Sequence, residues 1–102
     1  MSFISPSLDK YTVYSKDKCG YCTRVKNLLI KNSIKFTEIN CDKYLQEDKD
    51  GFLEFIKNLT GKDIKTFPIV FMNNEYIGGY NETNTFIEET KKPGDLDFNM
   101  LF

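Results

Sequence analysis

Tyr11-Thr12-Val13-Tyr14-Ser15 runs into Lys16-Asp17-Lys18-Cys19-Gly20-Tyr21-Cys22, and Val25, Leu28 and Leu29 follow at helical spacing. The first five residues are dense in β-branched and aromatic types and read as a strand. The apolar residues after Cys22 share one face with it and read as a helix. The two cysteines therefore stand at a strand-to-helix junction, on one helical turn and near enough to bridge. A pair so placed reads as a redox couple. Half of a zinc site, or two inert cysteines, are the other readings of the spacing. Zinc sites built from such pairs take a second pair of ligands. The chain has no histidine and one further cysteine, Cys41.

The junction itself favours sulfur chemistry. The thiolate is the reactive form, and an ordinary thiol is mostly protonated at neutral pH. Free N–H groups and the dipole at a helix N-terminus favour the anion. Lys16 and Lys18 add positive charge just before Cys19. Cys19 is thus the expected exposed nucleophile, and Cys22, one turn deeper, the expected resolving thiol.

Composition narrows the rest. With 102 residues, the chain is expected to be one domain, 1–102, with a core over about 10–91 and a tail over 92–102. A net charge of −1 argues against a general nucleic-acid role. No stretch is long and apolar enough to span a membrane. Met1-Ser2-Phe3-Ile4-Ser5-Pro6 lacks the basic-then-apolar pattern of a signal peptide. Three cysteines are too few for a secreted disulfide scaffold, so a reducing, cytoplasmic setting is expected. Cys41 reads as a small buried residue, with a regulatory thiol as the other reading.

Beyond the first helix, over residues 20–32, Ile34 to Asn40 reads as a second strand, giving a parallel β-α-β passage. Residues 43–60 read as a helix whose buried face is Phe52, Phe55, Ile56 and Leu59, stopped by Gly61. Its acidic first half, Asp42, Glu47, Asp48 and Asp50, reads as a solvated face. Pro68 to Met72 reads as a buried strand, Asn73-Asn74 as a hairpin turn and Glu75-Tyr76-Ile77 as the returning strand. Gly78-Gly79 breaks it. A short helix is expected over residues 82–91, with Asn81 as its N-cap, Phe86 and Ile87 facing inward, and Lys91-Lys92-Pro93-Gly94 as its stop. The apolar tail residues Leu96, Phe98, Met100, Leu101 and Phe102 are expected to fold back on the core, with partner binding as the alternative. The fold class is α/β: a four-stranded mixed sheet flanked by helices, in the order β-α-β-α-β-β-α.

Three separated motifs, Lys16 to Cys22, Thr66-Phe67-Pro68 and Gly78-Gly79-Tyr80-Asn81-Glu82, together with that order, make the chain resemble the glutaredoxin family within the thioredoxin-like fold. The resemblance covers roughly residues 10–91. It implies a cis peptide before Pro68, which brings Phe67 beside the cysteines so that its backbone pairs with the cysteine of bound glutathione. It implies that Lys16 and Lys65 meet the glycyl carboxylate of glutathione. Tyr21 lines the groove. Gly79, Tyr80, Asn81 and Glu82 take the γ-glutamyl end, with N–H groups for its carboxylate and Glu82 for its amine. Many members carry Asp where this chain has the longer Glu82, and Val where it has Phe67.

The activity implied is glutathione-dependent thiol–disulfide exchange, with glutathione as co-substrate and glutathionylated or disulfide-bonded proteins as partners. Gly20, where many members have Pro, keeps a second class open: a [2Fe–2S] protein in which Cys19 and glutathione from two copies hold the cluster. A monomer is expected, and a dimer only with the cluster. A dedicated electron donor is a third reading. Lys16, Lys18, Arg24 and Lys26 form a basic rim that either receives acidic partners or is simply solvated.

Overall fold

A computed structural model describes the backbone of residues 2–100 and the side chains of residues 2–90. Its elements are β1 (Tyr11–Ser15), α1 (Gly20–Lys31), β2 (Phe36–Asn40), α2 (Asp42–Thr60), β3 (Ile69–Met72), β4 (Glu75–Gly78) and α3 (Tyr80–Met100). The strands lie in the order β2-β1-β3-β4, with β1 and β2 parallel and the other pairs antiparallel. The expected element order and mixed sheet are both present.

β1 lies inside the sheet, and Thr12, Val13, Tyr14 and Ser15 are all buried. Alternation along the strand then sorts the core into two layers. Val13 and Val70 pack with Val25, Leu29 and Ile87 from α1 and α3. On the other face, Tyr14, Ile69 and Phe71 pack with Phe52 and Ile56 from α2. Phe55 and Leu59 border that layer, so the expected apolar face of α2 is the one that packs. The lead-in is docked on the same layer. Phe3 stands 5.0 Å from the Tyr44 ring, and the Tyr14 hydroxyl donates to the Ile4 carbonyl at 2.6 Å.

The ends of the elements have local causes. Ser33, at φ 58°, turns the chain out of α1. Its N–H donates to the Ile30 carbonyl at 3.0 Å and that of Ile34 to the Leu29 carbonyl at 2.9 Å. This is the paired closure of a Schellman motif, and it uses up the N–H of Ile34. β2 therefore begins at Phe36 and not at Ile34. Asn73 and Asn74 both have positive φ, 51° and 70°, as a two-residue turn of the I′ kind requires. Gly61, at φ 76°, ends α2 as expected.

Three expectations are corrected. First, α2 is broken inside by Asp48, at φ −155° and ψ 65°. The Asp48 carboxylate accepts from the Gly51 N–H at 3.1 Å, so it caps a second helical segment and is more than a solvated charge. Second, α3 begins at Tyr80 and continues past Lys91-Lys92-Pro93-Gly94 to Met100. A proline removes one helical hydrogen bond and crowds the carbonyl one turn back, which a continuing helix can absorb. Third, Ile87 is buried but Phe86 is only half-buried, and Thr83 fills the inward position one turn earlier. The expectation that Leu96 to Phe102 fold back concerns side chains outside the described residues.

Candidate active site

Cys19 is the N-cap of α1, with its backbone extended at φ −119° and ψ 104°. The chain reaches it through Lys18, whose φ of 55° is left-handed. The preceding loop is pinned from the end of the neighbouring strand β2 and the start of α2. The Asp17 N–H donates to Asp42 Oδ1 at 3.1 Å, and Asn40 Nδ2 donates to Asp17 Oδ1 at 3.0 Å. Asn40 Oδ1 in turn receives the Asp42 N–H at 3.0 Å. Hydrogen bonds with Asp42 and Asn40, then the nearby Lys18 and Lys26, hold the Asp17 carboxyl below its usual range. Nothing in the cysteine motif itself pointed to Asn40 or Asp42 as its supports.

Cys19 and Cys22 are joined as a disulfide, with their Cα atoms 5.3 Å apart. The two sulfurs differ in access: Cys22 is 1% exposed, whereas Cys19 is half-exposed. The Cys22 N–H donates to Cys19 Sγ at 3.2 Å, the contact that favours a thiolate at this position once the bridge opens. Cys19 is therefore the more accessible sulfur of the pair, and Cys22 lies behind it. Cys41 is fully buried, and burial, then Asp42, pushes its thiol up to about 12. On the reduced protein, iodoacetamide is expected to label Cys19 first and Cys41 only in denaturant. Peptide mapping by mass reads the order.

The peptide bond between Phe67 and Pro68 is cis, and the Phe67 carbonyl oxygen lies 3.8 Å from Cys19 Sγ. The Phe67 ring turns the other way and stacks on Phe52 at 6.3 Å. Lys16 Nζ stands 5.6 Å from the centre of that ring. Lys16, Lys65 and Phe67 line one cavity of about 490 Å³, which also receives Lys49, a cation that the sequence motifs did not mark. Lys65 continues into a second cavity of about 450 Å³, lined by Thr66, Pro68, Gly78, Gly79 and Glu82. Cys19 itself opens on a third cavity of about 360 Å³ that shares Lys16 with the first, so the lysine end lies beside the sulfur and the start of α3 lies at the far end.

At that far end the expected cap is displaced by two residues. Gly79, not Asn81, precedes the helix, and its N–H donates to Glu82 Oε1 at 2.9 Å. This is the returning half of a capping box, and the length of Glu82 permits it. The Asn81 side chain faces a different cleft, between β4 and α3. Its backbone N–H remains in the first turn of the helix. Gly78 has φ 144°, and a Cβ there would stand 2.6 Å from Glu82 Cβ, so glycine is required at that position.

Tyr21 is 54% exposed and lies against Tyr80, with ring centres 5.9 Å apart. Arg24 lies over both rings. The i, i+3 spacing of Tyr21 and Arg24 was visible in the sequence, but its partner in α3 was not. The basic rim is uneven. Lys26 pairs with Glu38 at 2.7 Å, and that bond, then one from Ser15, holds the Glu38 carboxyl below its usual range.

Comparison with known proteins agrees with this fold. The family model described as Glutaredoxin matches residues 11–77. A curated relative named Glutaredoxin 1, from Rickettsia conorii, is 34% identical over 85 residues, covering 83% of this chain and 74% of that protein. Glutaredoxin 1 from Francisella tularensis, solved with cacodylate, superposes with a TM-score of 0.70 at 27% identity, covering 81% of this chain and 96% of that one. A buckwheat glutaredoxin–glutathione complex gives a TM-score of 0.62 at 31% identity, covering 86% and 73%.

Proposed function

The chain belongs to the glutaredoxin family, and we propose that it is a glutathione-dependent thiol–disulfide oxidoreductase acting on protein–glutathione mixed disulfides and protein disulfides. The observation that carries this reading is the placement of the half-exposed Cys19 sulfur, between the Cys22 N–H and the Phe67 carbonyl, in a cavity that shares Lys16 with the neighbouring lysine-lined one. The relative solved with glutathione supports the choice of co-substrate.

In the proposed cycle the Cys19 thiolate attacks the glutathione sulfur of a mixed disulfide. The Cys19–glutathione bond forms, the substrate sulfur leaves as a thiolate, and it takes a proton from solvent. A second glutathione thiolate then attacks the glutathione sulfur of the Cys19–glutathione bond, so that glutathione disulfide forms and Cys19 leaves as its thiolate. With a protein disulfide, Cys19 attacks one substrate sulfur and the other leaves as a thiolate. Cys22 then attacks the Cys19 sulfur, the second substrate thiolate leaves, and two glutathiones reduce the Cys19–Cys22 bridge, forming glutathione disulfide. Lys16 and Lys65 hold the glycyl carboxylate. The Phe67 backbone pairs with the glutathione cysteine beside Thr66 and Pro68, and Tyr21 shields the sulfur. The Gly79, Tyr80, Asn81 and Glu82 segment takes the γ-glutamyl end, beside the Glu82 carboxylate that accepts the Gly79 N–H.

Turnover of a small glutathione mixed disulfide, with glutathione as reductant, tests the reading. Lys16→Met is expected to raise KM roughly fivefold with little change in kcat, as for an exposed charge pair worth about 1 kcal/mol. An unchanged KM removes Lys16 from the site. No turnover by the wild-type protein overturns the reading.

A second reading draws on Gly20. No atom stands within 4 Å of where its Cβ would be, so the redox turn is open on that side. A [2Fe–2S] centre shared by two copies would be held by Cys19, the accessible thiol of each, and by glutathione. Among the described residues no self-contained group of three metal-binding side chains converges, so such a cluster would depend on ligands from outside one chain. Anaerobic reconstitution separates the readings: a coloured dimer supports the cluster, and a colourless, fully active monomer rejects it.

A further inference from the structure

The four cations around the redox turn are prepared for different tasks. Lys26 is committed to Glu38, Lys16 lies over the Phe67 ring, and Lys18 stands near Asp17. Like Lys16 and Lys18, Arg24 is exposed and has neither an ion pair nor a hydrogen bond among the described residues, but it lies over two aromatic rings where Lys16 lies over one. Its Cζ is 5.0 Å from the centre of the Tyr21 ring and 4.6 Å from that of Tyr80. Aromatic faces attract a guanidinium and take part of its hydration away. Its five N–H donors all lie in its plane and none is taken by another described residue, so two of them can meet a carboxylate in the two-bond geometry that lysine cannot reproduce. Tyr21 and Tyr80 also fix the group, so less side-chain entropy is lost when an anion binds.

We infer that Arg24, held by Tyr21 and Tyr80, is a docking point for an acidic side chain of the protein substrate. The inference rests on the oxidoreductase reading above. It adds a preference among substrates and leaves the exchange steps unchanged. Arg24 is five positions beyond Cys19, about 7–8 Å along the helix. An extended chain covers that distance in two or three residues, at about 3.3 Å each. The favoured substrate therefore carries Asp or Glu about two or three residues from its modified cysteine.

Three S-glutathionylated peptides, alike except for Glu, Gln or Lys three residues from the cysteine, test this. The mixed disulfide of glutathione and 2-mercaptoethanol is assayed beside them. For the wild-type protein at low salt, kcat/KM for the Glu peptide is expected to exceed that for the Gln peptide about threefold to fivefold, the scale of an exposed ion pair. The Lys peptide is expected to be slowest, and high salt to compress the series. Arg24→Met is expected to erase the preference while leaving the small disulfide unchanged, and Arg24→Lys to retain part of it. Equal rates for the three peptides with the wild-type protein overturn the inference and need no variant. So does a preference that survives Arg24→Met. Slowing of the small disulfide in Arg24→Met to the same degree as the Glu peptide also overturns it, because Arg24 then serves glutathione or Cys19. A small disulfide inert with the wild-type protein overturns the oxidoreductase reading, and this one with it.

Discussion

Cys19→Ser is expected to abolish turnover of every disulfide substrate, a loss on the order of a thousandfold or more, whereas Cys22→Ser should keep the reduction of glutathione mixed disulfides and lose most reduction of protein disulfides. The asymmetry follows from position. Cys19 Sγ is at the N-cap, accepts the Cys22 N–H and is half-exposed, so it is the sulfur that a substrate reaches and that the helix start favours as an anion. A serine hydroxyl accepts the same N–H but does not ionise near neutral pH and forms no disulfide. Cys22 is buried beneath the turn, so its chemistry is confined to a disulfide already formed at Cys19. Steady-state rates of both variants on one mixed disulfide and one protein disulfide check the split. A Cys22→Ser variant as inactive as Cys19→Ser on the mixed disulfide would contradict it.

Phe52→Ala is expected to cost about 3–5 kcal/mol, the usual range for removing a fully buried phenylalanine. For a domain of this size that corresponds to a fall in Tm of roughly 12–30 °C. Phe52 is fully buried at the centre of an aromatic group, facing Phe3, Tyr14, Tyr44, Phe55 and Phe67. Its stacking on Phe67 also couples the core to the groove. The variant should therefore raise KM for the mixed disulfide even where it is still folded. Thermal denaturation followed by circular dichroism gives the stability loss, and a loss under 1 kcal/mol would mean that the cavity is refilled by its neighbours.

The parts of the fold that were legible in the sequence are those fixed by short local patterns. The strand before Cys19, the Asn73-Asn74 turn, Gly61 and the Phe52–Phe55–Ile56–Leu59 face each depend on neighbours within a turn or two. The cis bond before Pro68 came from the family motif and occurs where the motif placed it, whereas the glycine break was read from the residues and falls one position later, because Gly78 is the last residue of β4. What escaped depends on partners distant in the chain or on competing caps. Asp48 sits within a periodic run, so only its bond to Gly51 reveals the break. The N-cap fell on Gly79 and not on Asn81 because Glu82 is long enough to return to it. Asn40 and Asp42 support the loop before Cys19 from 23 and 25 residues away. Lys49 reaches the lysine cavity, and Arg24 finds Tyr80, only once the sheet has brought the helices together.

The central claim is that Cys19 takes the glutathione from the substrate. Mixing Cys22→Ser protein with a glutathionylated substrate, quenching with acid and determining the mass of the intact protein and of its peptides tests this most directly. One glutathione per chain, attached at Cys19, is the expected result. Substrate thiol released with no glutathione on Cys19, or glutathione found on Cys41 instead, would contradict it.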